Sequence, residues 1–140
     1  MGKARIAFLI TIFFGFTTAI CAAQNTPSDV VRRFYRAYYD RDTTAFLNSI
    51  TPTDRTFLLN TFGEGGMAMF LNIFMGTMYV MLQGDLSSLR NVIILSEQIT
   101  ADRAVVRVAV EGSPPLNLVR IGGVWKIDMG FASIMNLFGF

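Results

Sequence analysis

Apolar residues recur along this chain with two different spacings, and the change falls near residue 90. Up to that point they recur every three or four positions. Beyond it they alternate with polar residues. The stretch "TPSDVVRRFYRAYYDRD", residues 26–42, predicts a helix. Thr26 can cap it, Pro27 suits its first turn, and Asp29 has the spacing of a capping box. Val30, Phe34 and Tyr38 share one face, Val31 and Tyr35 widen that face, and Arg32, Arg33 and Arg36 lie toward the other side. Residues 43–50 predict a second, short helix. Residues 51–62 repeat the start signal, with Thr51 or Thr53 as cap and Phe57, Leu58 and Phe62 as apolar positions. Glycines at 63, 65 and 66 then predict a break.

Residues 91–100, 101–112, 116–121 and 124–129 predict four strands. In the second, Ala104, Val106, Val108 and Val110 share one face while Arg103, Arg107 and Glu111 share the other. Pro114-Pro115 separates the second strand from the third. Gly122-Gly123 supplies a two-residue hairpin turn between the third and the fourth. Trp125, Ile127 and Met129 point one way; Lys126 and Asp128 point the other. The closing "FASIMNLFGF" predicts a short apolar helical turn carrying Phe131, Ile134, Met135 and Phe138. Helices followed by hairpin-linked strands indicate an α+β domain, with N-terminal helices covering an antiparallel sheet of about four strands.

Residues 65–84, "GGMAMFLNIFMGTMYVMLQG", carry no charge and approach the length of a membrane-crossing helix. As a helix, the stretch puts Ala68, Asn72, Gly76, Tyr79 and Gln83 on one narrow stripe. Met67, Leu71, Phe74, Met78 and Met81 fall on a broad apolar side. Neither end has a neighbouring Lys or Arg to anchor it. A span would also part the sheet from the helices that must cover it. The expectation is a helix packed inside the domain against the sheet, and no membrane span.

The first residues read as an export signal. Lys3 and Arg5 precede the apolar run "IAFLITIFFGF", and small residues follow it. This divides the chain into a signal peptide, residues 1–23, and one domain, residues 24–140. Cleavage is expected after Ala23, with Cys21 as the alternative. Lipidation of Cys21 is the weaker reading, because Ile20 fills a slot that usually takes a small residue. Removing Lys3 and Arg5 from the 12 basic residues leaves as many as the 10 acidic ones. The basic balance therefore belongs to the signal, and no nucleic-acid partner is expected. The single Cys leaves with the signal too. The expected location is the periplasm or the exterior.

The segments "TPSDVVRRFYRAYYDRD", "ADRAVVRVAV" and "LVRIGGVWKID" together resemble the secreted branch of the nuclear-transport-factor-2-like superfamily, also called SnoaL-like or cystatin-like. Pro27, Val30, Val31, Phe34 and Tyr35 carry the likeness on the first helix. Asp40 and Asp42 carry it in the turn, Asp102 and Ala104 at a strand start, and Gly123, Trp125, Lys126 and Ile127 near the end. The resemblance covers most of residues 26–129. It implies a cone-shaped fold, in which a strongly bent sheet wraps around the helices and often leaves an apolar pocket. Its members include isomerases, dehydratases and cyclases as well as binding proteins, so fold does not choose the function.

The chain has no His, which removes His-based nucleophilic and metal sites. "GEGG" lacks the Lys and the context of a phosphate loop. Acid–base work would fall to Asp40, Asp42, Asp54, Tyr35, Tyr38 and Tyr79. Asp40 and Asp42 also suit a helix end, Asp54 a first turn, and the tyrosines a core edge. Met67, Met69, Met75, Met78 and Met81 suit an adaptable apolar wall better than a copper site. The first expectation is therefore a non-enzymatic domain with a Met-rich pocket or groove that binds an apolar small molecule or a protein partner. Its lining is expected from Tyr35, Tyr38, Asn72, Met75, Met78, Tyr79 and Trp125. No metal or cofactor is expected, and a homodimer stays open. The alternatives are an isomerase- or cyclase-type enzyme with an Asp/Tyr pair, and an envelope protein with residues 66–82 in or on the bilayer.

Overall fold

The computed structural model describes residues 25–131 together with Ser133 and Leu137. The export segment, and Ile134, Met135 and Phe138 of the closing turn, lie outside the described residues. Four helices precede four strands: α1 (Pro27–Asp40), α2 (Thr43–Ser49), α3 (Pro52–Met81), α4 (Ser87–Arg90), β1 (Ile94–Thr100), β2 (Arg103–Val108), β3 (Leu116–Ile121) and β4 (Val124–Asp128). The strands form one antiparallel sheet in the order β1-β2-β3-β4. The domain is thus α+β, as the pattern predicts.

Helix α1 starts where the cap residues place it. The Asp29 amide donates to Thr26 Oγ1 at 3.2 Å. A second amide at this end, that of Ser28, donates to Glu97 Oε1 on β1 at 2.9 Å. Two of the unpaired amides at the helix start are satisfied in this way, one locally and one from the sheet. The helix ends at Arg41, whose φ of 55° is left-handed. Asp42 then caps α2 by accepting from the Ala45 amide at 3.0 Å.

Alternation decides which face of the sheet is covered. Ala104, Val106, Val108, Leu118, Trp125 and Ile127 are buried, whereas Arg103, Arg107 and Asp128 are exposed. Strand partners keep this parity: Ala104 sits opposite Leu118, and Leu118 opposite Ile127. Val30, Val31, Phe34, Tyr35, Ala37 and Tyr38 of α1 cover the apolar face. Each large side chain buried here contributes ~1.5–3 kcal/mol.

Helix α3 differs from expectation in two ways. The break falls at Gly63 alone, where φ is 68° and ψ is 169°. A side chain is strained at that φ, so glycine serves there. Gly65 and Gly66 are helical. The later part of the helix also does not lie against the sheet. It packs on α1 and α2, since α1 already occupies the sheet's apolar face. Only Met67, Leu71 and Met75 are fully buried. Met69, Ile73 and Val80 are 59%, 63% and 76% exposed, so the helix buries one edge and leaves the other bare. Among the described residues no helix is long and apolar enough to cross a membrane. The short α4 is absent from the pattern-based prediction. At four residues it is too brief for a period to register.

The start of α3 is tied to the end of the sheet by one carboxylate. Asp54 is 1% exposed. Its Oδ2 accepts from the Met129 amide at 2.7 Å and from Thr51 Oγ1 at 2.9 Å. Its Oδ1 accepts from the Phe131 amide at 3.1 Å. Beside it, the Thr51 amide donates to the Ile127 carbonyl at 3.0 Å, which joins the α2–α3 connection to the β4 edge. Asp54→Ala strands two backbone amides and one hydroxyl. It is expected to cost about 3 kcal/mol, read as a lowered urea midpoint with an unchanged slope.

Candidate functional site: a cavity walled by rings and thioethers

Residues four apart on a helix share a face, and two such ladders meet in this fold. Phe34 and Tyr38 form one on α1; Phe70, Phe74 and Met78 form the other on α3. Phe46 of α2 lies between them. The ring centroids of Tyr38 and Phe74 are 5.2 Å apart at 86°, an edge-to-face contact. Phe46 lies 5.3 Å from Phe34 and 6.2 Å from Phe70. Such pairs add ~0.5–1.5 kcal/mol beyond their burial.

Beside these rings lies a cavity of about 310 Å³. Its wall continues with Tyr35, Met81, Leu116 and Met129 and is closed by residues 111–114 between β2 and β3. The wall is carbon and sulfur, apart from Thr77, Glu111, Ser113 and the two tyrosine hydroxyls. Met81 reaches the connection at Gly112. Added there, a Cβ would stand 2.7 Å from the Met81 thioether methyl, and φ is +74°. The positive φ is what favours glycine there, and the flexible end of Met81 lies against it.

The two buried hydroxyls differ. Tyr35 Oη and Ser113 Oγ are 2.8 Å apart, and Ser113 Oγ donates onward to the Pro114 carbonyl at 3.2 Å. Tyr38 is 4% exposed, and its Oη has no hydrogen-bond partner among the described residues. Burial raises the pKa of Tyr38, and neighbouring Tyr35 adds to the effect. Burial also raises that of Tyr35, with the Ser113 hydrogen bond opposing it. Both phenols are therefore neutral hydrogen-bonding groups at physiological pH.

Of the seven residues expected to line a pocket, the fold brings Tyr35, Tyr38 and Met78 to this cavity. The other four lie elsewhere. Asn72 is exposed on the outer side of α3. Tyr79 is 55% exposed, and its ring lies against Gly84. Met75 is buried but outside the lining. Trp125 packs in the sheet core with the Arg120 guanidinium 5.2 Å over its ring. Helical spacing explains the difference: positions 72, 75 and 79 are turned away from the face shared by 70, 74, 78 and 81. Sequence reasoning missed Phe46, Phe70 and residues 111–114 as wall. The four-residue spacing of 70, 74 and 78 was a visible signal, but their meeting with α1 is a tertiary fact.

The candidate acids are dispersed. Asp40 and Asp42 are exposed. Asp54 is buried, but protein donors occupy both of its oxygens. No hydrogen bond joins a carboxylate to Tyr35, Tyr38 or Tyr79 among the described residues. Two of the larger surface grooves carry charge instead. One, of about 650 Å³, is lined by Arg32, Arg33, Arg36 and Arg90 with Asp29. The other, of about 550 Å³, runs past Trp125 and Lys126 with Asp40 and Asp42 on its wall. Desolvation, then Arg33 and Arg55, lower the pKa of Lys126. Its ammonium donates to the Asn48 carbonyl.

Comparison with protein-family models, with curated proteins and with solved structures finds no match. The reading of the site therefore rests on its geometry.

The difference between the two hydroxyls has a measurable consequence. Tyr35→Phe removes a satisfied hydrogen bond and leaves Ser113 without its partner. It is expected to lower stability by about 1 kcal/mol. Tyr38→Phe deletes an oxygen that has no partner among the described residues, so stability is expected to hold or rise. Paired urea titrations of the two variants check the contrast.

Proposed function

We propose that the protein is an exported, non-enzymatic domain that holds an apolar small molecule in the cavity between α1, α3 and the β2–β3 connection. The observation that carries this reading is the cavity itself. It is close to the lower end of the ~300–1,000 Å³ range of small-molecule sites, and it has the usual makeup of such sites, an apolar wall with a few polar groups. The thioethers of Met78 and Met81 suit a ligand of variable shape, because an unbranched Met side chain re-packs at little cost. The resemblance to nuclear-transport-factor-2-like proteins supports the reading as well, since that likeness implies a bent antiparallel sheet around helices that often leaves an apolar pocket. The basic, apolar and small-residue order of the first 23 residues supports export.

An Asp/Tyr acid–base enzyme has less support. Such a site needs a carboxyl near a tyrosine hydroxyl in an apolar setting. Of Asp40, Asp42 and Asp54, only Asp54 is buried, and its acceptors are spent on Thr51, Met129 and Phe131.

A second reading places the outer edge of α3 on a membrane surface or a protein partner. Its support is the charge-free face carrying Met69, Ile73 and Val80. Exposed apolar patches of this kind bind lipid in proportion to the area they bury.

Organic extraction of purified protein after incubation with a solvent extract of cells, followed by mass spectrometry, tests the first reading. An apolar compound is expected in near-stoichiometric amount. Met78→Trp and Met81→Trp, which fill the cavity from its wall and its rim, are expected to reduce retention at least tenfold. A yield no higher than that of an unrelated protein removes the reading. Co-flotation with phosphatidylcholine vesicles tests the second: it is expected to be lost in an Ile73→Glu/Val80→Glu variant, and protein that never floats rules that reading out.

A further inference from the structure

We infer that the groove between α1 and α4 is a binding site for a small ligand that carries phosphate groups, held by the guanidinium groups of Arg32, Arg33, Arg36 and Arg90. The site is on the exposed side of α1 and does not depend on the proposed cavity ligand.

Helical spacing gathers three of these side chains, and the fold adds the fourth. Arg32 and Arg36 are four residues apart on α1, and Arg33 and Arg36 are three apart, so all three are neighbours on the helix surface. Helix α4 packs on α1 and brings Arg90 to the same groove, of about 650 Å³. That volume lies within the ~300–1,000 Å³ range of small-molecule sites. All four arginines are exposed, so a solute reaches them.

The groove carries an excess of positive charge. All ten acidic residues of the chain are among the described residues, and of these only Asp29 lines the groove. Its carboxylate pairs with Arg32 at 3.2 Å, while Arg33 Nε donates to its backbone carbonyl at 3.4 Å. Arg33, Arg36 and Arg90 form no ion pair among the described residues. Asp40, four residues after Arg36, does not pair with it and lines the adjoining groove. Like charges at these helical spacings repel and destabilise. The repulsion extends past the groove: desolvation lowers the pKa of Lys126, and the charges of Arg33 and Arg55 lower it further. Local rules broken in this way concentrate at functional sites. A bound anion removes the repulsion.

The chemistry of the anion follows from the donors. Guanidinium groups match carboxylates and phosphates through paired N–H donors. A carboxylate offers two oxygens in one plane. A phosphate monoester offers three and carries about twice the charge, so it can accept from side chains that arrive from two helices. The ligand is small because the basic surface is short. Asp29 stands in the groove, and Asp40 and Asp42 line the adjoining one. An extended nucleic-acid backbone would run onto these carboxylates. A soluble phosphate compound and a phosphate-bearing lipid headgroup share the required chemistry.

Isothermal titration calorimetry of the purified protein at low salt, with inorganic pyrophosphate, tricarballylate and a short single-stranded oligonucleotide, tests the inference. Pyrophosphate is expected to bind at one site, about tenfold tighter than tricarballylate and about tenfold tighter than to an Arg36→Gln/Arg90→Gln variant. That variant is expected to keep or raise its urea midpoint, since it relieves repulsion. An Arg103→Gln/Arg107→Gln variant removes the same charge from exposed strand positions and is expected to leave pyrophosphate affinity unchanged. Flotation with phosphatidic acid vesicles separates the two sources. Flotation lost in the groove variant assigns a lipid headgroup; flotation absent, or unaffected by that variant, assigns a soluble compound. Absence of both pyrophosphate binding and groove-dependent flotation overturns the inference. So does an equal loss of affinity in the two variants, tricarballylate bound as tightly as pyrophosphate, or tighter binding of the oligonucleotide. None of these outcomes bears on the cavity reading.

Discussion

The apolar face of a four-stranded sheet must be kept from water, and α1 is the element that does most of this. Val30, Val31, Phe34, Tyr35, Ala37 and Tyr38 are buried on a helix that contacts β1, β2 and β4. The match is one of period. A helix presents a residue to one face every three or four positions and a strand every second position, and both supply here a continuous apolar surface. Polar groups lock the arrangement at two places. Glu97 reaches from β1 to the Ser28 amide, and Asp54 reaches from α3 to the amides that follow β4. Each is a carboxylate accepting from backbone N–H groups, a charge-assisted bond that carries direction as well as energy.

The place of α3 follows from that arrangement. With α1 already on the sheet, the long helix finds its neighbours at α1 and α2 and buries a single edge. Gly63 lets the chain turn between the segment held by Asp54 and the segment that carries the methionines. The packing of α3 has two products. Inward, the ladder of Phe70, Phe74 and Met78 meets Phe34, Tyr38 and Phe46 beside a cavity that the side chains do not fill. Outward, Met69, Ile73 and Val80 remain in contact with solvent. The cavity and the bare face are opposite sides of one incompletely buried helix.

The cavity presents an almost wholly apolar wall. Its hydroxyls are held neutral by burial, its wall lacks cations among the described residues, and the buried acid of the domain is engaged at the other end of α3. Tyr35 and Tyr38 lie on the same helix face, yet among the described residues only the Tyr35 hydroxyl has a partner. Position along α1 decides this: Tyr35 meets the 111–114 connection at Ser113, whereas Tyr38, almost one turn further on, packs among the rings of Phe34, Phe46 and Phe74.

Much of the architecture was legible in the one-dimensional pattern because it depends on local rules. Thr26, Pro27 and Asp29 mark a helix start through backbone amides within three residues. Gly122-Gly123 marks a hairpin because glycine accepts positive φ, and the alternation from Ala104 to Val110 marks a strand with one wet face. The α+β class, the order of its elements and the face of each strand that is buried follow from residues close together in sequence. What surrounds a helix is not such a property. Whether residues 65–84 would rest on the sheet, on other helices or in lipid depended on which surface was already occupied, and α1 had taken the sheet. For the same reason Phe34, Phe46 and Phe74, far apart along the chain, became one wall, while Asn72, Tyr79 and Trp125 were carried away from it. The sequence by itself determined the elements and their amphipathic faces, since period and capping are local; only the tertiary structure decided which faces meet, since that is a competition for burial among distant segments.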